Sequence, residues 1–142
     1  MATTDEGRVK LAATKLYKQH HAVYDRAATT GMGRNGRPDD LVCRAGDGHF
    51  LAVEFKKLNV CKVTKLQQIW LDNAAKAGGS ALVINAENLW LLEYAASHPG
   101  VRVTPTFAPA KEGATCVGHY VHLSNDGAIV VRMNTPKPEN LS

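Results

Sequence analysis

Apolar and polar positions follow helical spacing in some segments of this chain and extended alternation in others. Between residues 6 and 18, apolar residues recur among lysines at a spacing that predicts an N-terminal helix with a cationic face. A short strand is predicted at 22–24. Two further strands are predicted at 41–43 and 50–55, joined by a glycine-containing turn at 45–48. The first part of the chain is therefore expected to run helix, strand, strand, strand.

The next part of the pattern adds a helix, a strand and another helix. Apolar residues recur at helical spacing after a Thr64 cap, and Gly78 and Gly79 are expected to end that helix. A continuous apolar run at 81–84 predicts a buried strand, and 85–96 has the pattern of a helix. A helix that links the last strand to its predecessors indicates an α/β fold, in which a mixed sheet is covered on both faces.

The segment after Pro99 has a different character. Extended patterns occupy 101–107 and 116–123, and the turn sequence at 124–127 leads into another extended run, which predicts a β-hairpin. We expect three parts within one domain: 1–98 as the core, 99–134 as a β-rich extension packed on it, and 135–142 as a flexible tail.

Length and composition fit one ordinary globular domain. The chain has 142 residues, and 44% of them are hydrophobic. The net charge of +4 is compatible with a polyanionic partner but is weak support by itself. No apolar run is long enough for a membrane span, and the first residues lack the apolar core of a signal peptide. Three widely spaced cysteines favour a reducing cytoplasm over a disulfide framework.

An acid and a base share one face of the third predicted strand. Glu54 and Lys56 are two residues apart, so both side chains point the same way while apolar residues cover the other face. Such a pair is often only an exposed cross-strand contact. Here the apolar neighbours indicate a central strand, where unpartnered charges are costly, and this favours a metal site or an ion pair.

Two further positions could complete such a site, and each has a neighbour that competes for the role. Asp39 follows a proline at the mouth of the second strand, and alternation sends Asp40 to the opposite face, so only one of them can join Glu54. Gln67 lies near the start of the second long helix, where backbone amides favour a phosphate, whereas Gln68 would be solvated. Two carboxylates can hold a hard cation beside a lysine, as metal-dependent phosphodiester hydrolysis requires.

Four short motifs stand in order along the chain: Gly36-Arg37-Pro38-Asp39, Phe50-x-x-Val53-Glu54-x-Lys56, Thr64-x-x-Gln67-x-x-Trp70-Leu71 and Gly78-Gly79. In this order and at this spacing they resemble the VRR-NUC family of the PD-(D/E)XK nuclease superfamily, above all its small stand-alone members from phages and bacteria. The resemblance covers somewhat over half of the chain. It implies a restriction-endonuclease-like αβββαβ core with a mixed central sheet, and it leaves the C-terminal β-hairpin extension unaccounted for.

The resemblance also implies roles for individual residues. Asp39 and Glu54 match the metal-binding carboxylates, Lys56 the catalytic lysine and Gln67 the motif glutamine, while Glu6 matches an acid that many relatives carry on the first helix. The implied activity is that of an endonuclease dependent on Mg²⁺ or Mn²⁺ and selective for Holliday junctions or other branched DNA. It would act as a homodimer in the cytoplasm of a bacterium or a phage-infected host cell. The alternative is a DNA-binding module on the same fold without cleavage activity.

The predicted metal site is expected to have a third ligand and to be flanked by basic residues. We expect the Phe55 backbone carbonyl to join the two carboxylates. We expect five cations to flank the site and follow the DNA backbone: Arg34, Arg37, Lys57, Lys62 and Lys65. Contacts with phosphates position a protein without reading sequence, so recognition by DNA shape is expected, with no nucleotide cofactor and no membrane partner.

A structural zinc site is the remaining rival. Cys116, His119 and His122 offer ligands in the C-terminal part of the chain. In a strand, however, His119 and His122 would point to opposite faces. The spacing therefore favours an incidental pair.

Overall fold

The computed structural model describes residues 5–28, 36–58, 62–109, 115–123, 127–133, 135–139 and 141. Within these residues the chain forms three helices and seven strands. In chain order they are α1 (Asp5–Gln19), β1 (Val23–Arg26), β2 (Asp40–Cys43), β3 (Phe50–Phe55), α2 (Lys65–Lys76), β4 (Ser80–Ile84), α3 (Leu89–Ser97), β5 (Arg102–Pro109), β6 (Thr115–Leu123) and β7 (Gly127–Arg132).

The first sheet is mixed and has the strand order β1-β2-β3-β4. Strands β1, β2 and β3 pair antiparallel, and β4 pairs parallel to β3 after the α2 crossover. Every residue of β4 is buried, as its continuous apolar sequence predicts. The predicted α/β fold with a mixed central sheet and a β extension is confirmed.

Alternation along β3 divides the core between the two faces of this sheet. Leu51, Val53 and Phe55 lie in a cluster with buried residues of α1 and α3. Ala52 lies in a second cluster with buried residues of α2 and β4. Both faces are therefore covered, and alternation places Glu54 on the same face as Ala52, toward α2.

The second sheet has the order β5-β6-β7 and shares the core of the first. Val103, Val121 and Val131 belong to the same cluster as the α1 and α3 residues. Two hydrogen bonds join the sheets. Val103 N donates to Ser80 Oγ at 2.9 Å, and Val83 N donates to His119 Nε2 at 3.0 Å. The predicted turn between β6 and β7 falls partly on residues 124–126, which lie outside the described residues.

Two residues of the segment expected to be a flexible tail, 135–142, contact the rest of the domain. Leu141 is buried within the main core cluster. The Thr135 carbonyl accepts a hydrogen bond from Trp90 Nε1 at 2.9 Å. One apolar side chain near the end of a polar segment can hold that segment against the domain when the core offers it a partner.

Helix α3 begins at Leu89 rather than at residue 85. Asn88 Oδ1 accepts from Asn85 N at 2.7 Å, and Asn85 Oδ1 accepts from Glu87 N at 2.9 Å and from Asn88 N at 3.1 Å. These side-chain bonds replace a first helical turn, as asparagine commonly does. Among the helices described, none combines the length and apolarity needed to cross a membrane.

Candidate active site

Three elements meet at one end of the mixed sheet. The antiparallel register places Asp40 opposite Val53, so the preceding residue, Asp39, lies beside Glu54. The first turn of α2 carries Gln67 and lies on the same side. Strand pairing and the crossover helix thus bring together residues that are far apart in sequence.

Asp39 is held by groups on both of its carboxylate oxygens. Its Oδ2 accepts a hydrogen bond from Phe55 N at 2.8 Å. Its Oδ1 lies 3.6 Å from Lys10 Nζ. The backbone of β3 therefore fixes the orientation of this carboxylate next to Glu54.

Asp40 is occupied elsewhere, as alternation predicts. It is buried and accepts a hydrogen bond from Tyr17 Oη at 2.7 Å. It also accepts from Arg26 Nε at 2.8 Å and Nη2 at 2.9 Å, directly across the β1–β2 ladder. Burial, and then the charge of Asp40, raise the pKa of Tyr17 far above its usual value. Asp40 has a structural role and does not join Glu54.

Gln67 links the two charged residues of β3 to the start of α2. Its Nε2 donates to Glu54 Oε2 at 2.8 Å, and its Oε1 accepts from Lys56 Nζ at 3.1 Å. Lys56 Nζ also lies 3.5 Å from Glu54 Oε2. The same Oε1 accepts from Thr64 N at 2.9 Å, while Gln67 N donates to Thr64 Oγ1 at 3.1 Å, which completes a capping box.

The electrostatics of this group suit a divalent cation. Burial, and then the charge of Asp39, raise the pKa of Glu54 to about 8, although Lys56 acts in the opposite direction. Two adjacent carboxylates in a partly buried position repel each other, and a bound cation would relieve that repulsion. Carboxylate and carbonyl oxygens are also the donors that Mg²⁺ and Mn²⁺ prefer. The residues present therefore fit such an ion.

Helix α1 contributes a different residue from the one expected. Glu6 lies half-buried in its first turn, and the described residues contain no group of three His, Cys, Asp or Glu side chains placed to share a metal. Glu6 is therefore not brought together with Asp39 and Glu54. Lys10, one turn later, contacts Asp39 instead. Sequence reasoning missed Lys10; its place four residues after Glu6, on the same helix face, was the available signal.

The predicted DNA-binding cations differ in whether contacts within the protein already hold them. Arg37 donates from Nη2 to Asp25 at 2.7 Å and from Nη1 to the Pro38 carbonyl at 3.0 Å, so it is tied to the strand ends. Three of the other predicted DNA-binding residues are exposed: Lys57, Lys62 and Lys65. Arg34 lies outside the described residues.

The zinc ligand set is not assembled in the described part of the chain. His119 is buried on the inner face of β6, where its Nε2 accepts from Val83 N. His122 Nε2 lies 3.0 Å from Thr104 Oγ1. The side chain of Cys116 lies outside the described residues.

The structure thus combines a mixed sheet of four strands, helices on both of its faces, and two acids and a lysine at adjoining strand ends. No protein-family model matches the chain, and no curated protein does. A solved structure described as a VRR_NUC domain does match, with a TM-score of 0.54 and 26% sequence identity. The match covers 63% of this chain and 95% of that one. The chain thus has a VRR-NUC-like fold, which confirms the resemblance, and more than a third of it extends beyond the match.

Proposed function

We propose that this protein is a divalent-metal-dependent endonuclease that hydrolyses phosphodiester bonds in DNA. The observation that carries the proposal is the hydrogen-bonded group of Glu54, Lys56 and Gln67 beside Asp39. The nuclease-like fold also supports the proposal. The group of side chains lies where the adjoining strands β2 and β3 bring Asp39 beside Glu54.

The residues divide the chemistry between them. Asp39, Glu54 and the Phe55 carbonyl would hold Mg²⁺ or Mn²⁺, and such an ion, when bound, lowers the pKa of a ligated water and offsets charge on the phosphate. Gln67 keeps the Lys56 ammonium near Glu54. From that position Lys56 orients the attacking water and contacts a phosphate oxygen.

The proposed substrate is branched DNA, such as a Holliday junction, bound by a homodimer. The exposed cations Lys57, Lys62 and Lys65 follow on from the site and suit contact with the phosphate backbone. Tyr120 and Val130 face each other across β6 and β7 with 40% and 57% of their surfaces exposed, which supports an interface with a second copy. Two copies would present two sites to opposed strands.

The test is a panel of labelled junction, flap, duplex and single-stranded DNAs with Mg²⁺, with Mn²⁺ and with chelator. Glu54→Ala and Lys56→Ala should keep the fold by circular dichroism and lose about 100-fold or more in cleavage rate. Lys15→Ala removes an exposed lysine of α1 that has no part in the proposed site and should retain cleavage, which makes it the matched control. Wild-type cleavage by Glu54→Ala or Lys56→Ala would overturn the proposed site and its mechanism. DNA binding without cleavage under every metal condition would instead support a binding module.

The homodimer is tested separately by sedimentation of the free protein and of its complex with junction DNA. A dimer in the complex is the expected result. A monomer in both states would overturn the dimer and the junction preference that rests on it, while leaving single-strand nicking intact.

A further inference from the structure

Lys10 lies beside Asp39 Oδ1, the carboxylate oxygen that does not accept the hydrogen bond from Phe55 N. Asp39 Oδ2 accepts from Phe55 N, whereas Oδ1 lies 3.6 Å from Lys10 Nζ. Both side chains are only about one-fifth exposed, at 21% for Lys10 and 22% for Asp39. The ammonium therefore lies beside one of the two carboxylates that would hold the cation.

Hydrogen bonds from Arg26 hold the turn of α1 that carries Lys10. Arg26 Nη2 donates to the Lys10 carbonyl at 3.2 Å, and Arg26 Nη1 donates to Thr14 Oγ1 at 2.9 Å. The same guanidinium makes the paired bonds to Asp40, the neighbour of Asp39. Arg26 thus joins this turn of α1 to the start of β2, and a partly buried ion pair fixes the backbone position of Lys10.

A lysine and a divalent cation cannot share Asp39 without repulsion. Their charges have the same sign, and in a partly buried site the repulsion is screened less than in water. The lysine stem has four flexible carbons, so its ammonium can shift to another anion nearby when the cation takes its place. The anion that a DNA substrate brings to this position is a phosphodiester group.

We propose that Lys10 is a positioning residue that neutralises Asp39 before the cation binds and contacts a DNA phosphate afterwards. This inference rests on the proposed nuclease function, because it assigns Lys10 a part in the same site. It makes two separate statements: Lys10 weakens binding of the free cation, and it strengthens binding of DNA once the cation is in place.

The first statement is tested by calorimetric titration of the DNA-free full-length protein with Mg²⁺ alone. Lys10→Met should bind Mg²⁺ about 10-fold more tightly than the wild type, the scale on which groups around a metal's ligands act. Lys15→Met removes the same charge from an exposed position of the same helix and should bind Mg²⁺ like the wild type. Lys10→Arg keeps a cation beside Asp39 and should also retain wild-type affinity.

The second statement is tested by DNA binding in Ca²⁺, an oxygen-seeking divalent cation, with junction DNA as the probe. Lys10→Met should weaken that binding about 10-fold relative to Lys15→Met, and Lys10→Arg should restore it. Equal Mg²⁺ affinity in Lys10→Met and Lys15→Met would overturn the inference, and so would weaker Mg²⁺ binding by Lys10→Met. If Lys10→Met gives either of these results while the wild type binds Mg²⁺ and cleaves DNA, only the inference is overturned. If the wild type neither binds Mg²⁺ nor cleaves DNA in its presence, the proposed function is overturned as well.

Discussion

At the scale of single residues, Gln67 is the one on which most contacts of the candidate site converge. Its amide bonds Glu54 and Lys56, and its backbone and side chain form the capping box with Thr64. One side chain therefore holds the start of α2 and the charged pair of β3 in a fixed relation. Loss of this amide should affect stability and chemistry together.

We expect Gln67→Ala to lower the free energy of unfolding by about 1 kcal/mol, through the cap, and to lower the cleavage rate by about 100-fold. Thr64→Ala breaks the cap but leaves the contacts of Gln67 with Glu54 and Lys56, so it should lose stability and keep most of the activity. Gln68→Ala should change neither. Denaturant unfolding and single-turnover cleavage measure the two effects. Equal cleavage rates for Gln67→Ala and Gln68→Ala would contradict a role for Gln67 in the site.

The residues that could be predicted from sequence were those fixed by local rules. Alternation separates Asp39 from Asp40, and the register that pairs Asp40 with Val53 agrees with that separation. Lys10 could not be predicted in the same way. The spacing within α1 places Lys10 on the same face as Glu6, but its contact with Asp39 depends on how α1 crosses the sheet, which is set by Arg26 and by core packing.

At the scale of elements, the segment that leads into Asp39 lies directly against the first turn of α2. Gly36 has a φ of 84°, and a Cβ placed on it would lie 2.7 Å from Leu66 Cβ and 2.8 Å from the Leu66 backbone. Only glycine fits both the dihedral angle and the space. Gly36 therefore keeps the elements that carry Asp39 and Gln67 in contact.

Gly36→Ala should cost more stability than Gly48→Ala, because the two positions share a positive φ but differ in crowding. A Cβ on Gly48 would meet nothing within 4 Å, so only the conformational strain of about 1 kcal/mol applies there. Gly36→Ala adds a backbone clash and should also slow cleavage by displacing Asp39. Thermal unfolding and cleavage rates of the two variants check this. Equal losses in both would show that the contact with Leu66 is unimportant.

Element boundaries were predictable where a single local signal marks them. Helix α2 follows the predicted Thr64 cap, and its end is marked by Gly78, which has a φ of 103°. The start of α3 was misplaced by four residues because apolar periodicity does not show that Asn85 and Asn88 bond each other. The helical pattern and the side-chain turn compete for the same residues, and the turn prevails.

At the scale of the whole molecule, the two sheets meet at β4 through side chains rather than through a shared ladder. Ser80 accepts from Val103 N, and His119 accepts from Val83 N. The strands of the extension were predicted from sequence, but this junction was not. It joins residues 23 and 36 positions apart, and the two side chains that form it, Ser80 and His119, are of types that are not typical of cores.

His119 makes that junction sensitive to pH. Its Nε2 is the acceptor for Val83 N, so Nδ1 carries the hydrogen, and that atom is buried without a hydrogen-bond partner among the described residues. Burial lowers the pKa of His119 to about 4. The unfolded chain, where the histidine titrates near pH 6.5, therefore binds more protons than the folded protein at any pH between these two values.

The sign of the effect follows: the stabilisation is fully present above about pH 6.5 and is lost as the pH falls toward 4. Between roughly pH 7 and pH 5 we expect His119 to account for a loss of about 2 kcal/mol in the free energy of unfolding. His119→Gln keeps an acceptor for Val83 N but cannot titrate, so its stability should fall less over that range. Val103→Ala weakens the same junction but changes no titrating group. Its loss in the free energy of unfolding relative to the wild type should therefore be the same at both pH values. Denaturant unfolding of the three proteins decides the matter, since parallel pH profiles for the wild type and His119→Gln would mean that His119 does not couple the junction to protons.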